Sequence, residues 1–227
     1  MIVFFSKDAE EVMLAAIIKH YNPSAIMRLY ENNEDLLSIA KIYNESNFFR
    51  IKDYKLAIIN QYDFPEWIKD DSKLRFIELV IANNKTNIYS LINHLAEYLF
   101  SPEKLFYSSL DKTVMFKDNA MQVINELGIF KRFNKSFTKN GIIYFEINPE
   151  HDIIRLYSKS ISKKCNEPFA VLNGDNALIS NAKKAGFKDD IITLNRFDAL
   201  RIKREIKVSM PLKNQLKGTV ATKIIEY

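Results

Sequence analysis

The stretch Ile2-Val3-Phe4-Phe5-Ser6-Lys7-Asp8-Ala9-Glu10-Glu11-Val12 decides the fold. Its first four residues are apolar and are followed by a serine, which is typical of a short buried strand that ends in a turn. The residues after it predict a helix over Lys7–Tyr21, with Ser6 as its N-cap and acids in the first turn, where the helix dipole favours them. A strand that passes directly into a helix indicates an α/β sheet, in which chemistry lies at the carboxyl ends of the strands.

The rest of the first 65 residues continues the alternation of strands and helices. Ser24–Tyr30 is a candidate second strand, Glu34–Tyr43 a short helix, and Lys55–Asn60 a third strand that runs into Gln61-Tyr62-Asp63. The order strand, helix, strand, helix, strand favours a parallel sheet with crossover helices. We therefore predict an α/β fold that begins with a small parallel sheet.

The middle of the chain is predicted to be a helical insert, and its C-terminal part a small basic α/β unit. Apolar residues spaced by three and four indicate helices over Pro65–Ala82, Asn87–Phe100, Pro102–Leu110 and Lys117–Phe130. The polar, basic stretch Lys131–Asn140 suggests a boundary between domains 1–135 and 136–227. Beyond it we predict a hairpin of the strands Gly141–Ile147 and Asp152–Tyr157, a strand Phe169–Leu172 ending in the turn Asn173-Gly174-Asp175-Asn176, a helix Ala177–Ala185 capped by Gly186, a strand Ile191–Leu194 and a helix Asp198–Lys207.

Composition limits the classes of function. The chain has 227 residues, one cysteine and five glycines, so it has no internal disulfide, no multi-cysteine metal site and no glycine-rich phosphate loop. It has no apolar run long enough to span a bilayer and no recognisable secretory signal, and we expect a cytoplasmic protein that does not enter the membrane. Residues 131–227 carry 19 basic and 10 acidic side chains, and such a basic part points to nucleic acid or an acidic partner, or is simply a solvated surface.

Acidic side chains at the end of the first strand are the first candidates for chemistry. Asp8 and Glu10 could hold Mg²⁺ or Mn²⁺, but no third ligand is evident, and acids in the first turn of a helix are ordinary dipole partners. The three histidines fall on different elements without metal-ligand spacing, and Cys165 has no histidine base in its vicinity. We therefore predict no metal, no cofactor and no catalytic residue.

Basic residues interleaved with aromatic ones are the second candidates. Cations alternate with phenylalanines over Phe130–Lys139, as in proteins that stack single-stranded bases on aromatic rings. A further group of cations lies close together near the C-terminus and could meet phosphates or an acidic protein surface. The alternative is that the aromatics are core and the cations are solvated. The candidate binding residues are Lys131, Arg132, Lys135, Lys139, Arg201, Lys203, Arg204 and Lys207.

The N-terminus resembles a degenerate DHH phosphoesterase, the superfamily that includes the RecJ exonucleases. That family begins with an apolar strand followed by His-x-Asp-x-Asp-Gly, which here falls on Ser6, Asp8, Glu10 and Glu11. The family's Asp-His-His follows a later strand and falls on Gln61, Tyr62 and Asp63. Only the first aspartate of the first motif is kept, both motifs lack histidine, and the glycine-rich C-terminal signature is missing as well.

The resemblance implies a truncated DHH-like parallel sheet and a protein that is not an enzyme. Chains that resemble RecJ but lack its ligands are similar to the Cdc-forty-five class of replication factors and its archaeal RecJ-like relatives. This class implies a non-catalytic scaffold of the replicative helicase that binds the GINS complex and the MCM ring. The chain is rich in lysine, isoleucine, asparagine and tyrosine, which suits an AT-rich genome and is compatible with an archaeal source. Single-stranded DNA is a further expected partner.

Two alternatives stay open from the sequence. The first is a divergent metal-dependent nuclease or phosphodiesterase that uses Asp8, Glu10, Asp53 or Asp63, and it requires these carboxylates to converge at the strand ends. The second is a nucleic-acid-binding or viral accessory protein unrelated to RecJ.

Overall fold

The computed structural model describes residues 1–30, 48–133 and 135–202, and it confirms the predicted α/β class. The first sheet contains three parallel strands in the order β2-β1-β3, with β1 in the centre. Its strands are β1 (Ile2–Phe5), β2 (Ile26–Leu29) and β3 (Phe48–Arg50). Helix α1 (Ala9–Tyr21) follows β1 and is buried along Val12–Ile18, and α2 (Ile51–Gln61) follows β3 directly.

A helical layer joins this sheet to a second one. It contains a 3₁₀ turn at Glu66–Lys69 and the helices α3 (Asp71–Ala82), α4 (Ile88–Glu97), α5 (Pro102–Phe106) and α6 (Asp111–Arg132). The helices predicted for this region are thus confirmed, although the first one is interrupted at Asp70, which caps α3 by accepting a hydrogen bond from the backbone N–H of Ser72.

The second sheet has five strands in the sequential order β4 to β8 and mixed directions. Strands β5 and β6 are parallel and are connected through helix α7, whereas the other neighbours are antiparallel. The elements are β4 (Lys135–Lys139), β5 (Ile142–Glu146), α7 (Ile154–Ser162), β6 (Phe169–Asn173), β7 (Asn176–Ser180), a 3₁₀ turn at Ala182–Ala185, β8 (Ile191–Asn195) and α8 (Arg196–Ala199).

Three secondary-structure predictions were wrong. Lys55–Asn60 lies in helix α2, where Ile51 and Ile58 are buried with the spacing of two helical turns. Asp152–Tyr157 is no strand, because most of it lies in α7, and β4 takes its place as the antiparallel partner of β5. Ala177–Ala185 is not a helix but strand β7 followed by the 3₁₀ turn.

Two turn predictions were confirmed and one N-cap was corrected. Asn173 pairs with Asn176 across a two-residue hairpin turn in which Gly174 has a φ of +55°, a conformation that favours glycine. Gly186 ends the 3₁₀ turn with a φ of +89°. The N-cap of α1 is Asp8 rather than Ser6, so the helix begins two residues later than predicted. The helix Glu34–Tyr43 and residues 203–207 of the last predicted helix lie outside the described residues.

The apolar core runs from the first sheet into the second. One cluster of buried side chains contains Phe5 of β1, Ile17 of α1, Val80 of α3, Leu156 of α7 and Phe169 of β6. A smaller cluster covers the opposite face of the second sheet, where the Tyr144 hydroxyl donates to the carbonyl of Ala199 at 2.8 Å. The boundary predicted between 1–135 and 136–227 is therefore crossed by shared packing, and whether the two parts unfold separately stays a prediction to be tested. No helix in the described ranges combines the length and the apolarity needed to cross a membrane.

His20 on α1 and His94 on α4 have structural roles. His20 donates from Nδ1 to the carbonyl of Ala96 at 2.7 Å. His94 is buried, and its Nε2 lies 2.9 Å from the hydroxyl of Thr113. That hydroxyl donates to the carbonyl of Lys104 at 2.8 Å, so its oxygen accepts a hydrogen bond from Nε2 of the His94 ring. Burial lowers the pKa of His94, and the nearby charge of Lys112 lowers it further.

We expect the buried imidazole of His94 to make the protein less stable in acid. A histidine whose folded pKa lies below its unfolded value of about 6.5 binds more protons when unfolded, so its contribution to the free energy of unfolding falls as the pH drops below that value. His94→Gln keeps a donor for Thr113 and removes the titration. Urea unfolding at pH 5 and pH 7.5 is expected to show a smaller loss of stability at pH 5 for the variant than for the unmodified protein. Parallel pH dependence in the two proteins would contradict this assignment.

Candidate functional site

Asp8 anchors the carboxyl end of β1 to the start of α1. Its Oδ1 accepts hydrogen bonds from the backbone N–H groups of Glu10 and Glu11 at 2.9 and 3.3 Å. Glu11 reaches back so that its Oε2 accepts from the N–H of Ser6 at 2.8 Å. No hydrogen bond to Asp8 Oδ2 is found within the described ranges. One oxygen of this carboxylate is thus fixed, and the other is available to a ligand.

Two other acids at this edge of the first sheet, Glu10 and Asp53, are paired with cations. Glu10 forms an ion pair with Lys55 at 2.5 Å. Asp53 accepts two hydrogen bonds from Arg50, at 2.6 and 2.7 Å, and these hold the pKa of its carboxyl below the usual value. Burial raises the pKa of Tyr30 at the end of β2, and the charge of Glu11 raises it further. Each acid therefore has its own partner.

These acids do not form a divalent-cation site. A site for Mg²⁺ or Mn²⁺ needs several oxygen ligands around one point. Across residues 1–30, 48–133 and 135–202, no three aspartate, glutamate, histidine or cysteine side chains are grouped in a way that could hold a metal ion. The residues described do not fit the metal that the DHH family implies, and we derive no step through one.

The residues placed on the second DHH motif lie far from the first. Gln61 ends helix α2 rather than a strand. The hydroxyl of Tyr62 accepts a hydrogen bond from Nδ2 of Asn22 at 3.0 Å, and the Tyr62 ring stacks on the Tyr21 ring with their centres 5.0 Å apart. The Tyr21 hydroxyl in turn donates a hydrogen bond to the carbonyl of Asp63. Tyr21 and Asn22 end α1, whereas Asp8 begins it, and the length of that helix is about 20 Å. The two motif positions therefore do not form one site.

Asp8 instead lines a cleft that also involves the second sheet. We call this the Asp8 cleft; its volume is about 660 Å³, within the range of small-molecule sites. One wall consists of Lys7, Asp8 and Ala9, and the opposite wall comes from α7 and the end of β7. That opposite wall includes Arg155, Ser158, Lys159, Ser162, Ser180 and Asn181.

Polar groups inside the cleft are held in place. The buried hydroxyls of Ser158 and Ser180 hydrogen-bond to each other at 2.5 Å. Asn181 has a φ of +54°, and its amide donates to the carbonyls of Cys165 and Glu167 at 2.9 and 3.0 Å. Lys159 pairs with Glu78 on α3 at 3.2 Å. The charged side chains of the cleft lining are therefore mixed, with the cations Lys7, Arg155 and Lys159 and the acids Asp8, Glu78, Asp152 and Asp190.

A larger groove continues from the cleft along the other side of α7. It has a volume of about 1130 Å³ and shares Glu78, Leu156 and Lys159 with the Asp8 cleft. We call it the lysine groove, because its lining includes Arg75, Lys131, Lys159, Lys163 and Lys164 against the acids Asp71 and Glu78. Arg75 and Lys159 are both paired with Glu78, whereas Lys131, Lys163 and Lys164 form no ion pair with any described residue.

The basic residues predicted to bind nucleic acid or a partner lie on several different elements of the structure. Lys131 lines the lysine groove, and Arg132 follows it at the exposed end of α6. Lys135 and Lys139 lie on one face of the exposed strand β4. Arg201 lies beside Asn140, whose amide donates to the carbonyl of Ile202 at 3.2 Å, and its guanidinium is 3.7 Å from the centre of the Phe197 ring. Lys203, Arg204 and Lys207 lie outside the described residues.

Sequence reasoning missed Arg155, Lys159 and Lys163. The signal was present, because these cations recur every fourth residue and so share one face of a helix. We missed it by interpreting Asp152–Tyr157 as a strand.

Comparison with known proteins finds a likeness at the level of structure. No protein-family model matches the chain, and no curated protein matches it significantly. Among solved structures it is similar to the pGpG-specific phosphodiesterase PggH from Vibrio cholerae, with a TM-score of 0.48 and 11% sequence identity. The match covers 88% of this chain and 95% of that one.

The prediction that the chain is not an enzyme is corrected at this point. It relied on the missing histidines of the DHH motifs, whereas the protein with the similar structure is a phosphodiesterase. The likeness says nothing about the substrate of this chain.

Proposed function

We propose that the protein is a divergent phosphodiesterase of the DHH type that binds a nucleotide phosphate in the Asp8 cleft. The observation that carries the proposal is the composition of this cleft. Asp8 is the one aspartate kept from the first motif, and it follows the central parallel strand β1 at its carboxyl end. It lines the same cavity as Arg155 and Lys159. Ligands of open α/β sheets bind at this end of the strands.

The cations of the cleft could bind a phosphodiester in competition with its acids, of which Glu78 is already paired with Lys159. The cations Lys7, Arg155 and Lys159 can neutralise the non-bridging oxygens of a phosphate, and the guanidinium of arginine matches two of them at once. Hydrolysis adds water across a P–O bond, and the carboxylate of Asp8 is assigned the role of accepting a proton from that water. The hydrogen bonds to Oδ1 fix the carboxylate, and Oδ2 has no competing partner in the described part of the chain.

Hydrolysis is expected to depend on Asp8 and not on Glu10. Asp8→Asn keeps an oxygen that can cap α1, because asparagine caps helices about as well as aspartate, but it cannot accept the proton. Glu10→Gln changes an equivalent charge two residues away that pairs with Lys55 and does not line the cleft. We expect the first variant to lose at least about tenfold in rate and the second to keep the rate, within about twofold.

The assay uses the linear dinucleotide pGpG and a single-stranded oligonucleotide, each with Mn²⁺, with Mg²⁺ and with a chelator. All variants are purified in parallel, so that a contaminating nuclease would act equally in each. No hydrolysis of any substrate by the unmodified protein, or an equal loss in both variants, would overturn the proposal.

The partners implied by the resemblance are a separate proposal. GINS and MCM subunits remain candidates on the N-terminal resemblance alone, and single-stranded DNA remains one on the basic segments. Recovery of helicase subunits in a pull-down with the full chain would support the first pair, and the Asp8→Ala/Glu10→Ala double variant is expected to recover them equally well.

A further inference from the structure

Helix α6 carries an exposed apolar stripe along its outer face. The inner face packs on the core through Phe116, Val123 and Leu127. On the outer face Val114 is 42%, Met121 54% and Ile129 56% exposed. With 3.6 residues per turn, positions 114, 121 and 129 lie on one side of the helix, opposite Val123. Large apolar side chains grouped in this way on a soluble helix are typical of an interaction surface.

Two opposite charges lie on the same stripe. Asp118 and Arg132 are exposed and are separated by 14 residues, which is close to four helical turns. Neither forms an ion pair with another side chain in the described ranges. The stripe therefore has an acid toward one end, a base at the other, and apolar residues between them.

We propose that this stripe binds a second copy of the chain, with the two α6 helices antiparallel and related by a twofold axis at Asn125. Asp118 and Arg132 each lie seven residues from Asn125, so this arrangement places each aspartate opposite the arginine of the other copy. Met121 and Ile129 each lie four residues from Asn125 and face each other in the same way. Interfaces of twofold dimers are self-complementary, and a parallel pairing would bring like charges together instead.

Gly128 allows the two helices to approach closely. It lies on the outer face between Met121 and Arg132, and a Cβ built on it would meet only the Nη2 of Arg132, at 3.9 Å. In the proposed pairing it leaves one flank of the contact without a Cβ, next to the side chain of Arg132. Small residues at a helix crossing permit the shorter interaxial distances, near 8 Å.

Sedimentation velocity of the full chain over a range of concentrations tests the dimer. We expect the apparent mass to rise from 26.5 kDa toward twice that value. Asp118→Arg and Arg132→Asp are each expected to weaken self-association at least tenfold, because each homodimer then contains two pairs of like charges. Mixing the two variants is expected to restore a dimer, since every pair across the mixed interface again joins an acid and a base.

Asp189→Arg is the matched control, because it reverses an exposed acid outside α6. It is expected to leave self-association unchanged. A monomer at all concentrations, which would leave the stripe to a different protein, overturns the proposal. So does a dimer that neither single reversal weakens, or a mixture of the two reversals that stays monomeric.

Discussion

Phe169→Ala is expected to lower the free energy of unfolding by about 3–5 kcal/mol, the usual cost of removing a buried phenylalanine from a packed core. Phe169 lies on β6, is fully buried and packs edge-to-face on Phe145, with ring centres 6.0 Å apart. It belongs to the same cluster of buried side chains as Trp67, which lies in the helical layer and donates from its indole N–H to the carbonyl of Leu99 at 2.7 Å.

The chain contains a single tryptophan, so fluorescence reports unfolding around Trp67 alone. Because the two residues share one core, we expect Phe169→Ala to move the fluorescence transition in urea as far as the transition followed by circular dichroism. Phe133→Ala is the matched control, since Phe133 is 75% exposed, and its removal is expected to cost less than about 0.5 kcal/mol. If the fluorescence transition stayed in place in Phe169→Ala, the parts 1–135 and 136–227 would unfold independently.

The sequence predicted elements whose burial matches a simple pattern. Strand β1 is buried along Val3–Phe5, and α1 has acids in its first turn, so both elements were evident from residues 2–21, although the N-cap was placed at Ser6 instead of Asp8. The hairpin turn at Gly174 and the end of the 3₁₀ turn at Gly186 were also predictable, because both require a positive φ.

The failures share a physical cause. A short apolar run such as Leu56–Asn60 suits a strand or a helix equally well by pattern, and here the chain passes from β3 directly into α2, which contains this run. Strand β4 lacks an apolar face, since all five of its side chains are exposed, so only its pairing with β5 reveals it. Because Asp152–Tyr157 was predicted to be a strand in place of β4, helix α7 was not predicted, and neither was its face of basic side chains.

The candidate site was predicted to a smaller extent than the fold. Asp8 was identified, since its place after β1 follows from local sequence alone. The cleft around it was not, because Arg155 and Ser180 reach it through tertiary contacts between sequence segments about 150 residues apart. The distance between Asp8 and Gln61–Asp63 was equally invisible, since it depends on α2 being a helix.

Reversing two charges of the lysine groove is expected to weaken the binding of a single-stranded oligonucleotide by at least about tenfold. Lys163 and Lys164 line the groove without ion-pair partners in the described part of the chain, and the groove continues into the Asp8 cleft. A strand whose scissile phosphate lies near Asp8 could therefore extend past Lys159 toward these lysines. Each phosphate contact to a single strand contributes about 0.7 to the slope of log K against log salt concentration.

We therefore expect the double variant Lys163→Glu/Lys164→Glu to lose affinity for a fluorescently labelled 20-mer in an anisotropy titration, and to show a salt dependence shallower by about 1.4. Lys183→Glu/Lys184→Glu is the matched control, because it reverses an adjacent lysine pair that is exposed but does not line the groove. Hydrolysis of a dinucleotide, which the Asp8 cleft can hold alone, is expected to be unchanged in both variants. An equal loss of oligonucleotide affinity in both would mean that net charge, and not the groove, determines binding, because only the location of the reversed charges distinguishes them.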